Sequence, residues 1–561
     1  MPAVESYNST GNIYIDSILG NLKWVPSDLT YSFPDSALSY GALYGDGETA
    51  KGFGSFNGTQ QSITRSALNL FSSVSNLTFQ ESTGAGAASA DLRFAQSDVP
   101  GTAWAYFPTS DSTGGDVWVN NSSRNYVSPE KGNYAYLTIV HEIGHALGLE
   151  HAHEGSNVMP LSHDSMENTV MSYRSYAGAS TSTGYMNETW GYAQSLMMYD
   201  IAALQHIYGA NYQTNSGNTT YSWSPTTGEM FIDGIGQGAP GGNQIFLTVW
   251  DGGGADTYSF TNYTTALTID LQPGAWTITS QEQRAKLHWE GSKLATGNIA
   301  NSLLHQNDTR SLVENAYGGS ASDTIKGNVA SNTLRGNAGD DKLYGLNGND
   351  VLIGGSGKDV LSGGTGTDIA SYSTAKAGVV ADLLTKANNR GDAAGDSFSS
   401  IEWLIGSAYS DNLRGNGAAN EIKGSSGNDT LFGRSGNDVL DGGSGKDKLF
   451  GEAGKDVLIG GSGADTFVFR ALSDSRRSSM DTIKDFRRGS DHIDLRSIDA
   501  STKSAGDQAF TFIGSNAFHG KAGELRFADG AVAGDVNGDK VADFSINVLG
   551  LSALSKSDFY L

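Results

Sequence analysis

A nine-residue period governs the second half of this 561-residue chain. Six units run from Gly318 to Ser371 and seven from Gly406 to Val468, among them "GLNGNDVLI", "GGSGKDVLS" and "GRSGNDVLD". Strands of about three residues bury too little apolar surface to stand alone, so such units must stack on one another. A glycine-rich disordered linker is the plain alternative. It would not keep an apolar residue, such as Leu352, Leu361, Leu440 or Leu458, at the eighth position of nearly every unit. The expected form is a calcium-binding parallel β-roll.

The chemistry of the repeat follows from its residue types. The sixth position carries Asp323, Asp341, Asp350, Asp359 and Asp368 in the first array, and Asp411, Asp429, Asp438, Asp447, Asp456 and Asp465 in the second. Calcium prefers such hard carboxylate oxygens together with backbone carbonyls. Glycines allow the tight turn that presents those carbonyls: Gly336, Gly339, Gly345, Gly348, Gly354, Gly357, Gly363 and Gly366, then Gly424, Gly427, Gly433, Gly442, Gly445, Gly451, Gly454, Gly460 and Gly463. Asn332 and Asn420 replace the acid in the second unit of each array, which marks weaker or absent sites. Many acids being ligands partly explains the net charge of −24. No basic cluster is present to meet nucleic acid.

A longer duplication surrounds the arrays. "DTYSFTNYTTALTIDL" (256–271) matches "DIASYSTAKAGVVADL" (368–383), and Glu314 precedes Asp323 as Glu402 precedes Asp411. A spacer-plus-array module therefore occurs twice.

Residues 1–210 have a different texture, that of a mixed α/β domain. "LTYSFP" and "ADLRFA" read as strands. "QQSITRSALNLFSSV" (60–74) reads as a helix with Ile63, Leu70, Phe71 and Val74 near one face, and "SLMMYDIAALQHIYG" (195–209) as a helix stopped by Gly209. Between them, "HEIGHALGLEH" (141–151) holds three of the ten histidines. On a helix His141 and His145 share a face. Gly148 can end the helix with positive φ and turn the chain back, bringing His151 in as a third nitrogen ligand. Three ligands with an open position suit a catalytic zinc, and Glu142 can reach a water there. The elongated motif, followed by "NTVMSYRSY" with Met171 as its Met-turn, is a metzincin signature.

These motifs, with "VMSY", "MMYDIAALQHIYGAN", "WDGGGADTYSF" and the nonapeptides in the same order, resemble the serralysins, secreted bacterial zinc metalloproteases. The resemblance implies that Met171 floors the zinc site and that Tyr173 is a switchable zinc ligand that moves to stabilise the oxyanion. It also implies a calcium site at Asp251, Gly253 and Asp256. Three departures stand out. The segment "HAHEGSNVMPLSHDSMEN" differs from the usual continuation, with His153 and His163 read as surface residues. The second module lengthens the chain. The stretch before residue 11 is short, so an inhibitory propeptide is expected to be minimal or absent.

The N-terminus lacks a Sec-type signal, no run of about 18 apolar residues exists, and there is no cysteine. "TIKDFRRGSDHIDL" (482–495) resembles the segment that closes the roll. "DVNGDKVAD" places Asp535, Asn537, Asp539 and Asp543 at calcium-loop spacing without a distal glutamate, and a capping turn is the rival reading there. The final "SDFYL" resembles a type I secretion signal.

The expected architecture is an α+β metzincin-like catalytic domain, with a mixed twisted sheet and a long active-site helix, followed by all-β calcium-binding rolls. Its parts are an N-terminal segment (1–10), the catalytic domain (11–245), a spacer opening the β-roll region (246–317), a first roll (318–371), a second spacer (372–405), a second roll (406–468) and a C-terminal β domain (469–561). The expected function is a secreted, broadly specific zinc endopeptidase of extracellular proteins, stabilised by calcium. Its expected partners are protein substrates, a type I secretion apparatus and a small periplasmic inhibitor. It would be a monomer, with no nucleic acid bound and no membrane insertion. The rival is a calcium-dependent adhesin or matrix protein with a vestigial zinc site. A calcium-roll lipase would need a G-x-S-x-G elbow, and strings such as "GGSGKD" belong to the repeats.

Overall fold

The structure, a computed structural model, describes residues 2–41 and 44–561. Two compact units divide at residues 316 and 317, so the segment 246–316 lies within the first.

The first unit is built on a sheet in the order Thr78–Glu81, Asp28–Ser32, Leu92–Ser97, Val117–Asn120, Ala103–Ala105. The first four strands are parallel and the last is antiparallel to its neighbour. Val117–Asn120 is enclosed between two strands and wholly buried, so the edge strand on that side is Ala103–Ala105, with Thr78–Glu81 at the other edge. The unit's helices are α1 (Ile13–Asp16), α2 (Gly58–Val74), α3 (Tyr134–Ala146) and α4 (Met198–Tyr208). Asn57 caps α2 reciprocally: its side chain accepts the Gln60 N–H, and the Gln60 side chain accepts the Asn57 N–H. The buried face of α2 centres on Thr64, Ala67, Leu68 and Phe71, with Ile63 and Leu70 at its flanks. Helix α3 is buried on all sides from Ala135 onward, as befits a helix at the centre of a core.

The second unit is a parallel β-roll with one turn per 18 residues, so that successive nonapeptides face alternate sides. On one face Leu334, Leu352, Ala370, Leu404, Ile422, Leu440, Leu458 and Ile483 stack in register, all fully buried. This ladder runs unbroken through the interval between the arrays, because Ile369–Ser371 pairs directly with Trp403–Ile405. On this face the two arrays therefore form one roll with residues 372–402 looped out, where the sequence suggested two rolls. The opposite face is interrupted: one sheet ends at Ser397–Ser399 and another begins at Val380–Asp382. The roll also extends past the last nonapeptide, through Thr482–Ile483 on one face and through His492–Asp494 and Phe559–Tyr560 on the other. No described helix is long and apolar enough to cross a membrane.

Candidate active site and cation sites

Helix α3 presents His141 and His145 one turn apart, and its end dictates where the third histidine comes in. Gly148 has φ +100, and a Cβ there would press on the Leu22 carbonyl. The chain reverses at this point, and the Leu149 N–H returns to the Gly144 carbonyl at 2.9 Å. His151 then meets the other two. The three Nε2 atoms lie 2.9, 3.1 and 3.2 Å apart. Ligands about 2.0–2.1 Å from a tetrahedral zinc stand roughly 3.3 Å from one another, so the donor set fits zinc. Burial holds the His141 imidazole down to about 3, helped by the like charge of His151, and burial lowers His145 strongly. Both effects favour the neutral, metal-binding form.

Glu142 lies beside this cluster, 6% exposed, and its Oε2 has no hydrogen-bond partner among the described residues. Burial pushes its carboxyl up to about 8. A cavity of about 390 Å³ opens next to it, lined among others by Thr102, Tyr134, Thr138, His141, Tyr173 and Tyr185. The Tyr173 ring lies 4.4 Å from the His151 ring and 5.7 Å from that of His141. Beneath α3, Met171 is fully buried, and a Cβ on Gly144 would come within 2.7 Å of its sulfur.

Two buried carboxylates that sequence reasoning missed hold this turn. Asp200, on α4, accepts the Thr169 hydroxyl and the Val170 and Met197 N–H groups. Asp164 accepts the Ser172 hydroxyl and the Arg174 Nε–H, so it grips the residues on either side of Tyr173. His153 corrects the expectation of a surface residue. Its side chain is 13% exposed and its ring lies 5.0 Å from Tyr173 and 5.5 Å from His151. His163 is half-buried against Tyr14 at 4.3 Å. Neither belongs to the metal-holding group.

In the roll, the backbone N–H at each sixth position donates to the carboxylate two units on: Asp341 to Asp359, Asp350 to Asp368, Asp429 to Asp447, Asp438 to Asp456. The other carboxylate oxygen of Asp341, Asp350, Asp359, Asp368, Asp429, Asp438, Asp447, Asp456 and Asp465 is buried without a partner. It points at the first glycine of its unit. A Cβ on Gly345 would overlap Asp350 Oδ2 and crowd the Gly363 carbonyl, and Gly336 and Gly424 stand in the same relation to their own units. Carboxylate and carbonyl oxygens thus converge on a space that only glycine leaves open, a donor set suited to calcium. Asp323 and Asp411 differ from these. They accept the turn N–H groups of Gly319 and Ser407, as Asn332 and Asn420 accept those of Asn328 and Asn416. An amide oxygen can accept this turn hydrogen bond as a carboxylate does.

Residues outside the nonapeptides continue both carboxylate columns: Asp396 and Glu402 after the first array, Asp481 and Asp491 after the second. Asp481 also carries a buried, unpartnered oxygen. In the first unit, Tyr221 and the Gly253 N–H bind Asp251, and Asp256 keeps one unpartnered oxygen while its N–H donates to Glu314. Burial pushes Asp251 up to about 8 and Glu314 to about 7. At 535–543 the carboxylates of Asp535 and Asp543 accept N–H groups of their own turn.

Comparison with known proteins agrees with this geometry. The Peptidase M10 serralysin C terminal family matches residues 210–561, and the Matrixin peptidase family matches 56–175. Serralysin A of Dickeya chrysanthemi is 34% identical over 308 residues, which is 53% of this chain and 58% of that protein. Metallopeptidase AprA of Pseudomonas marginalis is 32% identical over 311 residues (53% and 59%), and a serralysin of Proteus mirabilis is 31% identical over 308 residues (50% and 60%). The matched region thus spans somewhat over half the length of these relatives. With a family match over well more than half of its own length, the chain belongs to the serralysins of peptidase family M10.

Proposed function

We propose that the protein is a secreted zinc endopeptidase whose fold is locked by calcium. The single observation that carries the catalytic half is the buried, unpartnered Glu142 carboxylate beside three converging imidazole nitrogens. When bound, zinc supplies Lewis acidity and lowers the pKa of a coordinated water. Glu142 takes the proton of the attacking water and returns it to the leaving amine. The Tyr173 hydroxyl donates to the developing oxyanion. Asp164 and Asp200 hold the turn from which Tyr173 projects.

The peptide lies extended along Ala103–Ala105. The Asn120 N–H donates to the Thr102 carbonyl and the Tyr106 N–H to the Asp116 carbonyl. The alternation of an antiparallel ladder then turns the N–H and C=O groups of Ala103 and Ala105 outward. Those groups can pair with a substrate backbone, which supports this strand, rather than the enclosed Val117–Asn120, as the docking edge. Calcium, when bound, supplies the charge that the buried Asp carboxylates of the roll lack. Export through a type I apparatus is supported by a roll whose buried carboxylates weaken it at neutral pH where calcium is scarce.

Casein cleavage by the calcium-loaded chain tests the reading. Activity should vanish with a zinc-selective chelator and return with zinc. Glu142→Ala should bind zinc as the parent does and cleave nothing. A chelator-resistant parent, or an active Glu142→Ala chain, refutes it. An adhesin would cleave nothing under any of these conditions.

A further inference from the structure

The three imidazoles that converge beside Glu142 are not held alike. His141 and His145 each hold a backbone carbonyl with Nδ1, those of Val170 and Leu149, both at 2.7 Å. No side-chain substitution can remove those partners. His151 Nδ1 instead lies 2.9 Å from Oε2 of Glu154, whose side chain is 53% exposed. Glu150 does not compete for the ring. Its Oε1 accepts the backbone N–H of His151 at 2.8 Å and stands 3.8 Å from Nδ1. The Glu154 N–H closes the turn on the His151 carbonyl at 3.2 Å, which folds the carboxylate back over the imidazole. This turn belongs to the stretch "HAHEG".

Resting on the assignment of zinc to these three histidines, we propose that Glu154 is the positioning residue of the metal site. By accepting the Nδ1 proton it fixes the His151 tautomer and aims the Nε2 lone pair at the metal, and its negative charge strengthens the imidazole as a donor. The His153 ring, stacked 5.5 Å from that of His151, limits rotation of the ligand. One ligand of three thus depends on an exposed, replaceable carboxylate. It is the ligand that should release zinc first.

The test measures zinc affinity by competition with a chromophoric chelator, on the full chain in calcium, for the parent, Glu154→Ala and Glu154→Gln. Circular dichroism reports the fold, which an exposed substitution should leave intact. The alanine variant should lose about 10–100-fold in zinc affinity and release zinc faster. The glutamine variant keeps an oxygen acceptor and should recover most of that loss. Alanine binding within about twofold of the parent overturns the proposal, and so do equal losses in both variants. The outcome is separable from that of proteolysis. A parent that binds zinc without cleaving casein, beside a zinc-poor alanine variant, would refute the protease and leave Glu154 its role. A cleaving parent with an alanine variant of unchanged affinity would do the reverse.

Discussion

At the scale of single residues, the site combines groups that sequence spacing reveals with groups that only the tertiary fold brings in. His141, Glu142, His145 and His151 are legible because a helical turn and a glycine stop dictate where they point. Tyr173 lies against the imidazoles, where its hydroxyl can act on a developing oxyanion. Tyr173→Phe should therefore lower kcat by about 10²-fold or more with a much smaller change in KM, the pattern of an interaction made only in the transition state. Steady-state kinetics on a short peptide would read this, and an unchanged kcat would reduce Tyr173 to packing. Asp164, Asp200 and Glu154 were not legible. An acid announces itself only through its partners, and two of the three that Asp200 binds, Thr169 and Val170, lie some thirty residues away in sequence. His153 misled for the opposite reason: a histidine in a polar stretch reads as exposed until aromatic neighbours enclose it.

At the scale of elements, the repeat itself predicts strand, turn and buried position, because the nine-residue period fixes all three. Leu440 illustrates the energetics. It is fully buried between Ile422 above and Leu458 below. Leu440→Ala should cost about 2–5 kcal/mol through lost burial and the cavity left behind. Denaturant unfolding in saturating calcium would measure it, and a cost under about 1 kcal/mol would mean that the layer collapses to fill the gap. The continuation of the roll beyond its last nonapeptide was also written in the chain. Asp481-Thr482-Ile483-Lys484 repeats Asp323-Thr324-Ile325-Lys326 letter for letter, and Asp396-Ser397-Phe398-Ser399 keeps the same acid–x–apolar–x form. The glycines ahead of Asp481 are missing and those ahead of Asp396 are reduced to Gly391 and Gly395, so a search for whole nonapeptides passes over both. The direct pairing across residues 372–402 was not legible, since nothing local says that a thirty-residue spacer returns its strand to the same register.

At the scale of the whole molecule, the buried carboxylates make stability depend jointly on protons and cations. Burial, with like charges nearby, pushes Asp429 and Asp438 up to about 7 and Asp359 and Asp481 to about 8, above the ordinary 3.8. Without a cation the folded roll thus holds protons that the unfolded chain would release. That contribution is fully present below about pH 4 and is lost as pH rises through 6 to 8. In chelator, the thermal midpoint of the full chain's roll should fall between about pH 5 and pH 8. In millimolar calcium the fall should disappear, and calcium added near pH 6 should release protons, measurable in weak buffer. A midpoint in chelator that climbs with pH would contradict the burial of these acids.

The roll's one continuous face bears on how it carries load. Elsewhere in the stack both faces pair strand to strand from turn to turn, but between residues 371 and 403 strand pairing crosses on one side alone, the other side being joined through the Val380–Arg390 bridge and the bonds of Asn389 to Asp382 and Asp396. Under tension along its axis, such a stack has a designated weak seam. It would open there like a hinge, the unpaired side gaping first, before any turn elsewhere came apart.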